Sequence, residues 1–264
     1  MNTDIERFKN ACENGDLVTV TQLFDYVNGN ENVNMLEMRN IAARNGNLNI
    51  LEFFREKGVN INELYNSLCF YENPLMIAAQ KGWVDIIDYL LLQPEININL
   101  QDNLFGWTAL ICAAVFGKTD VVDILLQNKD CQINISDSTG CTIIFYATSL
   151  KYLQMIDKLI VYGSNIWHIN KSGKTLLHVA VMTDSLKVLE KILSFGLDMN
   201  QQDNFGFTPL IYAVKINNIE MVKIFLENGV DTRIKDNNGK TVSDYVTNEE
   251  IKELLNQYSS SGKN

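Results

Sequence analysis

The chain has 264 residues, of which 46% are hydrophobic, and its 22 basic and 32 acidic residues give a net charge of −10. Such a charge argues against nucleic acid as a partner, because phosphates would be repelled. The charged start MNTDIERFKN, the absence of an apolar run of about 18 residues and 5 cysteines without a C-x-x-C pair predict a protein of the cytoplasm or nucleus that does not insert into membranes.

A pattern of two short helices recurs along the chain. One position near the start of the first helix of each repeat is mostly apolar, and it recurs at intervals of 31 to 36 residues. We call it the leucine position. It is occupied by Phe8, Arg39, Leu75, Leu110, Ile144, Leu177 and Leu210. Three residues later, the alanine position holds Ala11, Ala42, Ala78, Ala113, Ala147, Ala180 and Ala213. A small residue there lets neighbouring helices approach closely, and such short helices need similar neighbours to bury their apolar faces.

The predicted repeats follow one another without a linker. In chain order they span about 1–29, 30–62, 63–98, 99–133, 134–166, 167–199 and 200–232, with a C-terminal cap at 233–258 and a disordered tail at 259–264. The second repeat has Arg39 at the leucine position, so we expect its first helix to pack poorly or to shift register. A longer connection, ELYNSLCFYEN, precedes the first helix of the third repeat.

The loop between the two helices of a repeat begins with glycine in the first four repeats. Lys151 and Asp184 occupy this position in the fifth and sixth repeats, and Asn217 in the seventh. If the loop requires a positive φ, the lysine and the aspartate are strained there, and Asn tolerates that conformation better. In the seventh repeat, Thr208 and Pro209 are typical of a helix start, because threonine caps the first turn and proline suits the first helical position.

Four segments carry the family resemblance: NPLMIAAQKG at 73–82, GWTALICAAVFG at 106–117, GKTLLHVAV at 173–181 and GFTPLIYAV at 206–214. They resemble the ankyrin repeat. The leucine and alanine positions align seven repeats in phase along the chain, which makes the resemblance specific. The resemblance implies an all-α solenoid of seven to eight repeats. Each repeat would be a helix-turn-helix preceded by a hairpin-like turn, here called the finger, and the fingers and first helices would line a concave groove.

Sequence motifs for catalysis are missing. GKT at 173–175 and 239–241 lacks the upstream glycine of a phosphate-binding loop, and neither of the 2 histidines has neighbours at metal-ligand spacing. The resemblance implies that His178 forms hydrogen bonds to the finger, and we expect His168 to be exposed. We therefore predict a protein that is not an enzyme and has no cofactor or metal.

The resemblance implies that the residues around the finger glycine and at the end of the first helix contact a partner. In the third and fourth repeats they are Tyr71, Glu72, Gln80, Lys81, Trp83, Leu104, Phe105, Trp107, Val115 and Phe116. In the sixth and seventh they are Lys171, Ser172, Lys174, Met182, Thr183, Asn204, Phe205, Phe207, Lys215 and Ile216. Of these we predict binding for Tyr71, Glu72, Lys81, Trp83, Leu104, Phe105, Trp107, Phe116, Phe205 and Phe207, together with Asp102.

The charge and exposure of these positions suggest the kind of partner. Residues 63–133 hold 9 acidic and 3 basic residues, so Glu72 and Asp102 could attract a basic segment with apolar anchors. The alternative is a solvated acidic surface. We expect Trp107 and Phe207, which follow the finger glycine, to be more exposed than Phe105 and Phe205, for which packing between fingers is the alternative.

The predicted function is that of a monomeric, non-enzymatic scaffold that binds another protein in its groove. The alternative is a regulatory or assembly-chaperone subunit of one specific complex.

Overall fold

A computed structural model describes residues 2–67 and 70–260, except for the side chains of Asn2, Ser67, Phe70 and Tyr71. The chain divides into two compact units between Ser138 and Thr139. The elements of the first unit are α1 (Asn2–Asn14), α2 (Leu17–Val27), α3 (Met35–Arg44), α4 (Leu48–Glu56), β1 (Tyr65–Ser67), β2 (Phe70–Glu72), α5 (Pro74–Lys81), α6 (Val84–Leu91), α7 (Ala109–Val115) and α8 (Thr119–Gln127).

The second unit continues the same alternation of first and second helices. Its elements are α9 (Ile143–Ser149), α10 (Leu153–Val161), α11 (Leu176–Met182), α12 (Leu186–Leu193), α13 (Pro209–Lys215), α14 (Ile219–Glu227), a 3₁₀ helix (Val242–Tyr245) and α15 (Glu249–Ser260). The predicted all-α repeat fold is confirmed, whereas the repeat boundaries and the single continuous array stay predictions. Helix α15 extends through Ser260, so the tail predicted from 259 begins too early, and 261–264 lie outside the described residues.

The helices start where local chemistry predicts. Thr208 accepts a hydrogen bond from the N–H of Ile211, and Pro209 is the first residue of α13. Asn73 likewise caps α5 ahead of Pro74, and its side chain accepts from the N–H of Met76. Both caps satisfy amide groups that have no partner within the first turn of a helix.

The core of each unit lies between its helices. All seven alanine positions are buried, and first helices pack directly on one another, as α3 does on α5, α5 on α7, α9 on α11 and α11 on α13. Second helices bury a stripe of larger side chains, which in α14 consists of Met221, Val222, Phe225 and Leu226. Burial of this apolar surface is the main stabilising contribution to the fold.

Arg39 contradicts the expectation of poor packing in the second repeat. Its side chain is fully buried, and the guanidinium donates to the carbonyl oxygens of Asn60 and Glu63 and to the side-chain oxygen of Asn40. Burial lowers the pKa of Arg39 to about 10. The helix α3 keeps its register because the long side chain reaches the carbonyl groups of the following connection, which compensate for its desolvation.

The longer connection of the third repeat forms a small β-hairpin. Strands β1 and β2 are antiparallel, and Tyr65 pairs with Glu72 and Asn66 with Tyr71. The Tyr65 hydroxyl donates to Glu37 at 2.9 Å, which joins the hairpin to α3. Residues 68 and 69, which include Cys69, lie outside the described residues.

The loops between helices have the backbone conformation that the sequence predicts. Glycine has a positive φ at this position in the first four repeats, and the three other residues have φ of 64° at Lys151, 53° at Asp184 and 60° at Asn217. Asp184 also accepts a hydrogen bond of 2.6 Å from the side chain of Asn218. Substitution of Asp184 would also remove this hydrogen bond, so the backbone strain is better measured at Lys151.

We expect Lys151→Gly to raise the stability of the fifth repeat by about 1 kcal/mol, because it relieves a left-handed conformation that costs about that much for a side chain with a Cβ. Amide hydrogen exchange in α9 and α10 should slow accordingly. The matched variant Asn217→Gly should have less effect, since asparagine tolerates this conformation. Equal protection of α9 in wild type and Lys151→Gly would show that the loop is not a weak point.

Candidate partner-binding surface

The finger of the fourth repeat is built around the carboxylate of Asp102. One of its oxygens accepts the N–H groups of Leu104 and Phe105, both at 2.7 Å, and the other accepts that of Trp107 at 2.6 Å. The turn brings the rings of Phe105 and Trp107 together, with their centroids 5.1 Å apart. The Asp102 carboxylate therefore holds the finger, and its predicted role in attracting a partner stays a prediction.

The finger of the seventh repeat has the same design. Asp203 accepts the N–H groups of Phe205 and Phe207 and, at 2.7 Å, the hydroxyl of Tyr212. Burial and this hydrogen bond raise the pKa of Tyr212. The rings of Phe205 and Phe207 lie 6.0 Å apart, and Phe207 contacts Tyr212 edge-on at 5.8 Å.

The fingertip residues are exposed in the opposite order from the one expected. Phe105 is 38% exposed and Phe205 is 60% exposed, whereas Trp107 and Phe207 are half-buried. The residue after the glycine packs against the ring of the residue before it, and Phe207 also contacts Tyr212 of the first helix α13. The more exposed aromatic side chains of these fingers are thus Phe105 and Phe205.

Adjacent fingers are joined to one another by backbone hydrogen bonds. In the first unit, the N–H of Ser138 donates to the carbonyl of Phe105 at 2.7 Å. In the second, Asn204 donates to Ser172 at 3.0 Å and Asn237 to Phe205 at 3.2 Å. A Cβ atom on Gly206 would lie 2.6 Å from the backbone nitrogen of Asn237, so this close contact requires glycine.

The third repeat departs most from the predicted site. Glu72 is buried and forms an ion pair of 2.8 Å with Arg44, so its charge is used within the fold, and its predicted contact with a partner stays a prediction. Trp83 is exposed, lies against Gly46 and donates to the carbonyl of Arg44 at 3.3 Å. The predicted contact of Tyr71 lies outside the described side chains.

The remaining predicted residues lie at two recurring places. Lys81 is exposed at the end of α5, and Leu104 is exposed at the fingertip of the fourth repeat. Phe116 and Ile216 are both exposed immediately after the first helices α7 and α13, six residues beyond the leucine position. Large apolar side chains therefore recur at the fingertip and at the end of the first helix.

The acidic residues of 63–133 lie mostly away from the fingers. Asp85 and Asp88 belong to the second helix α6, and Asp120 and Asp123 to the second helix α8. Their charge is therefore not concentrated at the predicted site on the third and fourth repeats.

A pocket of about 400 Å³ lies between the fingers and first helices of the fifth and sixth repeats. Its lining is Cys141, Phe145, Tyr146, Ser149, Asn170, Ser172, Lys174, Val179, Met182 and Thr183. Ser172, Lys174, Met182 and Thr183 are among the partner-contacting positions that the resemblance implies, whereas the α9 side of the pocket was not predicted. Met182 lies five residues after Leu177 at the leucine position, and the same spacing from Ile144 predicts Ser149.

His178 has the structural role that the resemblance implies. Its Nδ1 accepts the N–H of Thr175 at 3.1 Å, which makes the other nitrogen, Nε2, the donor to the carbonyl of Phe207 at 3.0 Å. Burial lowers the pKa of His178. His168 is half-buried, and its Nε2 lies 2.8 Å from the carbonyl oxygen of Gly140, so the expected exposure was wrong.

Comparison with known proteins agrees with this architecture. A family model described as ankyrin repeats (3 copies) matches residues 39–137, 75–170, 129–203 and 177–260. The chain belongs to the ankyrin-repeat family. Ankyrin repeats are generally protein–protein interaction modules, and the family is typically non-enzymatic.

Individual relatives are similar over a short segment. Alpha-latrotoxin-Lh1a from Latrodectus hasselti is 42% identical over 71 residues, and alpha-latrotoxin-Lt1a from Latrodectus tredecimguttatus is 40% identical over 70 residues. Each match covers 26% of this ankyrin-repeat chain and 5% of the toxin. The chain thus matches only a small part of the length of these curated relatives.

Two further properties concern residues 2–67 and 70–260 only. Within these ranges, no helix is long and apolar enough to cross a membrane, and no three His, Cys, Asp or Glu side chains are grouped so that they could hold a metal ion.

We expect Glu72→Lys to lower the free energy of unfolding by about 2 kcal/mol, because it breaks a largely buried ion pair and places a second cation beside Arg44. Chemical denaturation followed by circular dichroism measures this. The matched reversal Asp85→Lys on the exposed surface of α6 should change stability by less than about 0.5 kcal/mol. If the two variants have the same free energy of unfolding, the ion pair between Glu72 and Arg44 does not stabilise the protein.

We also expect the protein to lose stability as pH falls below about 6.5, because the unfolded chain then binds a proton that buried, neutral His178 excludes. The loss should continue until the pH reaches the lowered pKa of the folded state. His178→Gln should remove this part of the pH dependence and should lower stability above pH 7 by about 1 kcal/mol, through weaker hydrogen bonding. Identical pH profiles of the two proteins, from thermal unfolding, would contradict the assignment.

Proposed function

We propose that this chain is a non-enzymatic interaction module that binds another protein through its fingers and the ends of its first helices. The observation that carries the proposal is the recurrence of exposed, large apolar side chains at the same two repeat positions in both units. Phe105 and Phe116 occupy them in the first unit, and Phe205 and Ile216 in the second.

Physical arguments support these residues as contacts. Aromatic side chains bury a large area on binding and are enriched among the residues that dominate binding energy. The fingertips are held rigidly, since each turn is fixed by an aspartate and joined to its neighbour by hydrogen bonds. A preformed surface loses little conformational entropy on binding, which favours affinity.

The predicted preference for a basic partner at the third and fourth repeats has weaker support. Glu72 and Asp102 are used inside the protein, as described above. A basic segment would have to find its carboxylates elsewhere on the first unit.

The test uses a partner captured from the native organism with the full chain and then purified for titration. We expect either the pair Phe105→Ala with Phe116→Ala or the pair Phe205→Ala with Ile216→Ala to weaken binding by about 2 kcal/mol or more, because hot-spot anchors cost that much when truncated. Circular dichroism confirms that each variant is folded. A single stoichiometric partner would favour a regulatory or assembly subunit over a scaffold for many partners.

Matched controls lie on the second helices. Leu92 follows α6 and is 81% exposed, and Val161 ends α10 and is 84% exposed. Leu92→Ala and Val161→Ala should leave binding within about 0.5 kcal/mol of wild type. If these variants lose the partner and the finger variants keep it, the binding surface is on the second helices and the proposal is wrong.

A further inference from the structure

The charge of the chain is divided unequally between its two units. Residues up to Ser138 include 9 basic and 19 acidic side chains, which accounts for the whole net charge of −10. From Thr139 onward there are 13 of each, so the second unit is neutral. The local distribution of charge therefore decides what the second unit attracts.

The finger carboxylates of the second unit are used within the fold. Asp203 is buried and accepts two backbone N–H groups and the hydroxyl of Tyr212. Asp236 is buried in the same way: it accepts the N–H groups of Asn238 and Lys240 and the hydroxyl of Tyr245. These hydrogen bonds occupy both oxygens of each carboxylate.

The lysines of this surface lie beside aromatic rings. We call Lys174, Phe207, Tyr212, Lys215, Lys240 and Tyr245 the lysine–aromatic cluster. The Nζ atom of Lys215 lies 4.3 Å from the ring centroid of Phe207 and 5.5 Å from that of Tyr245, and the Nζ atom of Lys240 lies 5.7 Å from that of Tyr245. The Nζ atom of Lys174 lies 5.5 Å from the ring of Tyr212 and 3.8 Å from an oxygen of Asp203.

Two of these cations are available to a ligand. Lys215 and Lys240 are exposed, and within the described part of the chain neither forms an ion pair with a carboxylate. An ammonium group near a ring face is attracted by the quadrupole of the ring but is not neutralised, because the ring carries no net charge. A carboxylate that arrives from outside can therefore form a charge-assisted hydrogen bond with each of them.

An apolar pocket adjoins the cluster at Lys174, which lines both. The pocket of about 400 Å³ described above has Phe145, Tyr146, Val179 and Met182 among its lining residues. That volume is sufficient for one large apolar side chain. The cluster is therefore joined through Lys174 to a site for an apolar anchor.

From this arrangement we propose that the second unit binds an acidic segment of a partner protein, whose carboxylates contact Lys215 and Lys240 and whose large apolar side chain enters the pocket beside Lys174. The proposal rests on the proposed function and names the partner chemistry for one of its surfaces. It differs from the basic partner expected for the third and fourth repeats. Nucleic acid fits less well, because the second unit has 13 basic and 13 acidic residues and so lacks the excess of positive charge that binds a polyphosphate.

The test measures binding of synthetic, fluorescein-labelled peptides to the full chain by fluorescence anisotropy. One peptide is rich in glutamate with a single central phenylalanine, a second has glutamine for every glutamate, and a third has alanine for the phenylalanine. We expect the first to bind most tightly, and its affinity to fall as salt is added. If the glutamine peptide binds as tightly as the glutamate peptide, the proposal is wrong.

Variants locate the contacts. The pair Lys215→Glu with Lys240→Glu should weaken binding of the first peptide by about tenfold or more. The matched control Lys187→Glu, exposed on the second helix α12, should change it by less than about twofold. If the reversed pair lowers the thermal midpoint, Lys215→Gln with Lys240→Gln tests the same contacts and should still weaken binding.

Ser149→Trp tests the pocket, because Ser149 lines it and is exposed. The tryptophan should weaken binding of the peptide that contains phenylalanine and leave binding of the peptide with alanine in its place unchanged. The inference fails if the lysine variants bind the first peptide normally, or if a single-stranded oligothymidylate binds through Lys215 while the peptides do not. If a captured partner depends on Phe105 and Phe116 but not on the lysines, the proposed function stands and only this inference is wrong.

Discussion

The close approach of neighbouring first helices is the constraint on which the rest of the structure depends. Ala42 and Ala78 in the first unit and Ala147, Ala180 and Ala213 in the second are completely buried at the contacts between first helices. A larger side chain there would separate the helices and also the fingers that precede them. Because interiors are closely packed, the hydrogen bonds between fingers exist only at this helix spacing.

Polar side chains fix the positions that the apolar packing leaves variable. Asn62 donates to the carbonyl of Glu95 and accepts from the N–H of Asn97, and Asn99 bonds in the same way to Asp130 and Gln132. Asparagine suits this task because its amide offers a donor and an acceptor side by side. The connections between repeats are therefore held as firmly as the fingers, and the abundance of asparagine has a structural use.

The surface that we propose for binding depends on which side chains the fold itself uses. Both oxygens of a finger aspartate that fixes the turn already accept hydrogen bonds, so we infer that the charge offered to a partner comes mainly from other residues. In the second unit these are lysines beside aromatic rings, although the chain as a whole is acidic. Net charge is an average over the whole surface. Recognition of a partner depends on the charged side chains that stay exposed and are not bonded within the fold.

The sequence by itself determined the repeat, its helices and the role of the loops. The recurring alanine, the Thr208–Pro209 start and the non-glycine residues at Lys151 and Asp184 could be interpreted locally, because helix caps and a positive φ depend on neighbouring residues in the chain. His178 could be assigned in the same way, through the resemblance that its motif carries.

Only the tertiary structure decided which polar and aromatic residues are exposed. Glu72 forms an ion pair with Arg44, which lies 28 residues away in the sequence. Arg39 donates to the carbonyl of Glu63, 24 residues away, and the ring of Trp107 packs against that of Phe105. The first two partners come from distant parts of the chain, and the residues on either side of the finger glycine, two positions apart, differ in exposure. The pocket beside Lys174 arises in the same way, because α9, α11 and two fingers must first be packed together before the space between them exists.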